Sequence, residues 1–114
     1  MDHSTRLDLI RRTGVIAIMR AKSSDQLLAA ADAIRAGGVC AIEVTMTTPG
    51  ALAVIEKATA RQDEGVLFGA GTVLDAESAR AAILAGAQFI VAPSTDLGMI
   101  EICRRYSVPV FPGA

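Results

Sequence analysis

The sequence has no excess of charge of either sign: 11 Lys+Arg stand against 12 Asp+Glu, a formal net charge of −1 over 114 residues. Nine of the eleven cations are arginines scattered along the chain, whereas a nucleic-acid surface needs them gathered into a patch or stripe. No nucleic-acid partner is expected. Long apolar runs are missing too. The longer uncharged stretches, residues 65–74 and 81–95 among them, contain glycine and fall short of the roughly 20 apolar residues of a membrane span. The N-terminus, Met1-Asp2-His3-Ser4-Thr5-Arg6, has no cationic segment leading into an apolar core, so it is not a secretory signal. The two cysteines, Cys40 and Cys103, lie far apart without metal-ligand spacing, each among Val, Ile and Ala as a small buried apolar residue would be. These absences point to a reducing cytoplasm, with no membrane partner and no metal. The single histidine, His3, falls in an N-terminus expected to fray and is given no role.

What is present is 52% hydrophobic residues, enough for one modest core and not for two domains, so residues 1–114 are read as one unit. Short β-branched runs alternate with Ala/Leu-rich runs of helical spacing, and Gly, Pro, Asp or Ser marks each boundary. The pattern predicts strands over 14–20, 39–45, 65–69, 88–92 and 108–111. Helices are predicted over 25–36, from Pro49 in a first turn to about residue 61, from an Asp75 cap to residue 86, and from Thr95 or Asp96 to about residue 106. Ser23 or Ser24 caps the first of these, and Gly37-Gly38 stops it.

Repeated βα units imply parallel strands, closed either as an open doubly wound sheet or as a (β/α)8 barrel. Length alone favours the open sheet. A chain that stops within a strand, leaving a bare parallel edge, favours part of a barrel. The pattern leaves the two level.

Both architectures gather active sites at the carboxyl ends of the strands. Glu43 stands out there because it interrupts the apolar strand Cys40-Ala41-Ile42-Glu43-Val44-Thr45. If Ile42 and Val44 face helices, alternation turns Glu43 to the opposite face, where desolvation raises a carboxyl's pKa toward the range useful for proton transfer. The competing reading is a structural ion pair with a nearby arginine. Arg20, at the end of the first strand, is that candidate partner, and its planar fork equally suits a substrate carboxylate or phosphate. Gly69-Ala70-Gly71-Thr72 places two glycines and a hydroxyl where backbone N–H groups can approach an anion, or where the chain merely turns tightly. Lys22 and Lys57, the only lysines, sit in a Ser-rich loop and on a solvent-facing helix, and neither suits Schiff-base chemistry.

Gly-Gly-Val-x-x-Ile-Glu-Val-Thr ending at Thr45, Gly-Ala-Gly-Thr-Val ending at Val73, Gly-Ala-Gln-Phe-Ile-Val-x-Pro ending at Pro93, and Pro112-Gly113 together resemble the 2-keto-3-deoxy-6-phosphogluconate and 4-hydroxy-2-oxoglutarate (KDPG/KHG) aldolase family, from about Leu7 to the last residue. The resemblance implies an α/β fold of the (β/α)8 TIM-barrel class, with this chain forming about the first four βα units plus a fifth strand. It implies a class I aldolase that releases pyruvate from a small-molecule keto acid, with no cofactor or metal, and a homo-oligomer, a trimer in the family. Carried over residue by residue, it makes Glu43 the catalytic proton shuttle, Thr72 a contact for the pyruvate carboxylate and Pro93 a pocket wall. Some members hold that carboxylate with an arginine where this chain has Thr47, and others with an arginine at the end of the first strand, matching Arg20. Arg20 and Thr47 are therefore both substrate-binding candidates. The Schiff-base lysine of the family belongs to a sixth strand, expected beyond Ala114, so this stretch alone is expected to be inactive. The alternatives are a non-catalytic half-barrel that self-associates or binds a small anion, and a flavodoxin-like domain.

Overall fold

The computed structural model describes residues 1–20, 22–61, 63 and 65–114. Along them run α1 (His3–Thr13), β1 (Ile16–Met19), α2 (Ser24–Ala36), β2 (Ala41–Thr45), α3 (Ala51–Ala60), β3 (Leu67–Gly71), α4 (Ala76–Leu84), β4 (Ile90–Ala92), α5 (Leu97–Arg105) and β5 (Val110–Pro112). The strands form one parallel sheet in the order β1-β2-β3-β4-β5. This unbroken order separates the two architectures left open above. A doubly wound sheet reverses its strand order at a switch point, whereas the wall of a (β/α)8 barrel does not.

Both faces of the sheet are covered with apolar side chains, which is why its strands read as nearly continuous apolar runs. On the outer face, Ile42 and Val44 of β2 pack with Leu27 and Ala31 of α2 and with Val54, Ile55 and Ala58 of α3. Farther along, Ala79 and Ala82 of α4 and Met99 and Cys103 of α5 extend the same core. On the inner face, Ala41, Leu67 and Phe89 form a smaller cluster with Ile10 of α1, flanked by Ile16, Val91 and Phe111. Cys103 is buried with its thiol pushed up to about 11 by desolvation, while Cys40 is only half-buried.

The caps follow the sequence closely. The side chains of Ser23, Asp75 and Asp96 accept hydrogen bonds from the backbone N–H groups of Gln26, Ser78 and Met99, each satisfying a donor with no partner inside its helix. All five strands start two residues later than predicted, and for β2, β4 and β5 the reason is local and shared. After α2, α4 and α5 the chain turns through a left-handed residue, Gly38, Gly86 or Ser107. The next N–H then bonds back to the helix: Val39 to the Ile34 carbonyl, Ala87 to that of Ala82, and Val108 to that of Cys103. These are 6→1 bonds of the kind that close helix C-termini, so the leading residues of each apolar run finish a helix before the next strand begins.

Two further expectations are corrected. The N-terminus does not fray: Asp2 caps α1 by accepting from the Thr5 N–H, and Gly14, left-handed at φ 70°, returns its N–H to the Ile10 carbonyl. Burial of Ile10 against Ala41, Leu67 and Phe89 anchors the helix across the inner face. Pro49 lies outside α3, which starts at Ala51 behind Gly50 at φ 73°. Among the described residues no helix is long and apolar enough to cross a membrane.

Candidate active site

The C-terminal ends of β1 and β2 open into a cleft of about 500 Å3 lined by Arg20, Lys22, Thr47, Thr48 and Pro49. Two cations and two hydroxyls thus face one space. Among the described residues no carboxylate lies within ion-pair distance of Arg20 or Lys22; the ion pairs present involve Arg61, Lys57 and Arg105 instead. A planar guanidinium with no carboxylate partner among the described residues, beside an ammonium and hydroxyl donors, suits an anionic ligand.

Below the cleft, Glu43 sits at the centre of β2, between Ile42 and Val44 on the opposite face. Its neighbours across the sheet are Ile18 and Gly69. It is 4% exposed, and burial pushes its carboxyl above the usual carboxylate range. The ion pair with Arg20 considered from the sequence does not form: among the described residues no cation lies within 4.0 Å of Glu43. Thr45, next on the same face of β2, is 2% exposed, and its Oγ1 lies 2.9 Å from Oγ1 of Thr48 in the cleft wall. A hydroxyl pair therefore ties the end of β2 to the cleft wall.

The two glycines of β3 serve side-chain packing. The displaced strand puts them inside the β2–β3 ladder, where Glu43 pairs with Gly69 and Thr45 with Gly71. A Cβ on Gly69 would lie 2.5 Å from Cδ2 and Cε2 of Phe89, and one on Gly71 would overlap the Glu43 carboxyl, 2.5 Å from its Cγ and closer to Oε1. The N–H groups of Ala70 and Val73 are taken by the Phe89 and Val91 carbonyls, which removes them as anion donors.

Thr72 follows β3 at φ 58°, a left-handed conformation uncommon for a β-branched residue and a mark of local constraint, and it is half-buried. Pro93 follows β4 and is exposed; its carbonyl packs against Gly113, where a Cβ would clash. Arg20 and Thr47 are thus brought together in one cleft. Glu43, within β2, and Thr72 and Pro93, just past the ends of β3 and β4, lie outside the cleft wall. Among the described residues no group of three His, Cys, Asp or Glu side chains is placed to hold a metal.

The family model for KDPG and KHG aldolases matches residues 7–114. The chain belongs to this family. The 2-dehydro-3-deoxy-phosphogluconate aldolase of Treponema pallidum (strain Nichols) is 36% identical over 110 residues, 96% of this chain and 51% of that protein. The structure of the 2-keto-3-deoxy-6-phospho-gluconate aldolase of Zymomonas mobilis ATCC 29191 superposes with a TM-score of 0.83 at 28% identity, covering 100% of this chain and 53% of that one. The KDPG aldolase of Legionella pneumophila, solved with pyruvate captured at low pH as a covalent carbinolamine intermediate, superposes with a TM-score of 0.78 at 29% identity, covering 87% and 48%. The chain spans about half the length of the curated relatives it matches.

Within this aldolase-family wall, two roles that shape the site escape a reading of the sequence: that of Phe89, which fills the space over Gly69, and that of Gly71, which makes room for the Glu43 carboxyl instead of for an anion. The only signal for either is the Gly-x-Gly spacing itself.

Proposed function

We propose that residues 1–114 form the first part of the barrel of a class I aldolase. Its substrates are 2-keto-3-deoxy-6-phosphogluconate, cleaved to pyruvate and glyceraldehyde 3-phosphate, and 4-hydroxy-2-oxoglutarate, cleaved to pyruvate and glyoxylate. The reading is carried by Glu43, a carboxyl buried on the inner face of β2 with no charged partner among the described residues, below a cleft with two cations. The Legionella relative's captured carbinolamine supports the pyruvate half of the chemistry.

In this scheme a lysine on a sixth strand, outside these residues, adds to the keto carbon. Glu43 gives a proton as the carbinolamine hydroxyl leaves as water, then accepts one from the C4 hydroxyl as the C3–C4 bond breaks. A carboxyl raised by burial holds a proton closer to neutral pH than an ordinary glutamate, and it suits both directions of transfer. Arg20 holds the substrate carboxylate, with Thr47 beside it. Thr72 adds a hydroxyl contact and Pro93 bounds the pocket. The protein acts as a homo-oligomer in the cytoplasm, a trimer by family resemblance, and these 114 residues alone do not turn over substrate.

Glu43→Gln in a full-length protein carrying this sequence is expected to lower turnover about 10²–10⁴-fold, the usual loss for an acid/base group. Near-normal turnover would remove Glu43 from the mechanism. A second reading, favoured by the outermost positions of β1 and β5 in the sheet and by Ile18 at 65% exposure, is a non-catalytic half-barrel that self-associates or binds a small anion. A monomer in sedimentation of the 114-residue chain counts against its self-association.

A further inference from the structure

Among the described residues neither a cation nor a side-chain hydrogen bond fixes the buried Glu43 carboxyl, so shape must hold it, and β3 supplies that shape. Glu43 pairs directly with Gly69. The space beside Gly69 is taken by the Phe89 ring, fully buried and set edge-on to Phe111 at 6.3 Å between centroids. The Glu43 side chain instead reaches the next inward position toward the carboxyl end of the strand, Gly71, and lays Oε1, Cδ and Cγ against its Cα. Gly71 is therefore the one inner-face position of β3 open to this carboxyl. It belongs to a regular strand, so freedom of backbone conformation does not explain the glycine; the missing Cβ does.

We propose that Gly71 is the positioning residue for Glu43: its bare Cα seats the carboxyl at the level of Thr45, below the cleft, and any larger residue there unseats it. This rests on the reading of Glu43 as the proton carrier, and it is tested without turnover. Any Cβ at position 71 pushes the carboxyl off the sheet toward the open concave side, where it regains water. In the 114-residue chain labelled at glutamate side-chain carbons, the NMR titration midpoint of Glu43 lies above an ordinary glutamate's, and in Gly71→Ala it is expected to fall toward the ordinary glutamate value. An unchanged or raised midpoint in a folded Gly71→Ala variant overturns the proposal.

If Gly71→Ala does not fold, Gly71→Ala combined with Glu43→Ala decides. Folding of the double variant supports the steric seat, because removing the carboxyl makes room for the new Cβ. Failure of the double variant overturns it, because glycine is then needed for another contact. Loss of the catalytic reading appears separately, as near-normal turnover of the Glu43→Gln full-length protein with the titration results intact.

Discussion

Replacing Glu43 by Gln in the 114-residue chain should make the protein more stable at neutral pH, the opposite of what removing a paired charge would do. Burial raises the Glu43 carboxyl from its ordinary value of 4.5, and among the described residues no cation compensates for the desolvation of its charged form. Between the ordinary and the raised value the folded state binds a proton that the unfolded chain has released. Stability therefore falls as pH rises through that window, and stays lower above it. The slope in the window approaches about 1.4 kcal/mol per pH unit for one proton. Gln keeps the size and shape of the side chain but cannot ionise, so it loses this decline. Asp2 and Asp75 are held below 3.8 by the backbone N–H groups of Thr5 and Ser78, so their contributions are present above 3.8 and lost in acid. They are the same in both proteins and cancel in the difference. Urea unfolding at several pH values from 4 to 8 should give curves that meet near pH 4 and diverge as pH rises, with Glu43→Gln the more stable at pH 7. Parallel curves, or a Gln variant weaker at pH 7, would refute an unpaired buried carboxyl.

Two further outcomes follow from packing and from the lysines. Phe89→Ala removes a fully buried ring that fills the space beside Gly69 and meets Phe111 edge-on, and it should cost about 3–5 kcal/mol in urea unfolding. Pyruvate with borohydride should leave the 114-residue chain unlabelled by mass spectrometry, because Lys57 is paired with Asp25 at 3.0 Å on the surface and Lys22 lines an open cleft, and neither has the desolvated setting an amine nucleophile needs; a stable reduced adduct would overturn that assignment.

The sequence is most legible where the cause is local. Ser23, Asp75 and Asp96 cap helices through their own side chains, and an acidic residue inside an apolar strand is conspicuous at Glu43 whatever surrounds it. It is least legible where the cause lies across the sheet. The helix α1 is polar over most of its length and is held by the burial of Ile10 against Ala41 of β2, Leu67 of β3 and Phe89 just before β4, so nothing within its own segment announces it. The offset of β3 and the purpose of its glycines likewise depend on Glu43 from one side and Phe89 from the other. Gly-Ala-Gly looks the same in a turn, in an anion loop or in a strand that must admit its neighbours' side chains.

The placement of the acid and the stability of the fold rest on one register. Along the inner face of β2 the side chains are Ala41, Glu43 and Thr45, which run from an apolar floor under Ile10 and Phe89, through an acid, to a hydroxyl bonded to the cleft wall. Along the outer face, Ile42 and Val44 pack among the helices. A slip of one residue would exchange the two sets, burying Glu43 among Leu27, Val54 and Ile55 and turning Ile42 and Val44 inward. The outer-face packing that opposes this slip is ordinary core packing, with no chemistry of its own. It nevertheless decides that the carboxyl points into the concave face, where Gly71 of β3 leaves it room. A destabilising substitution at Ile42 or Val44 should therefore disturb the Glu43 titration even though neither side chain touches the acid's face.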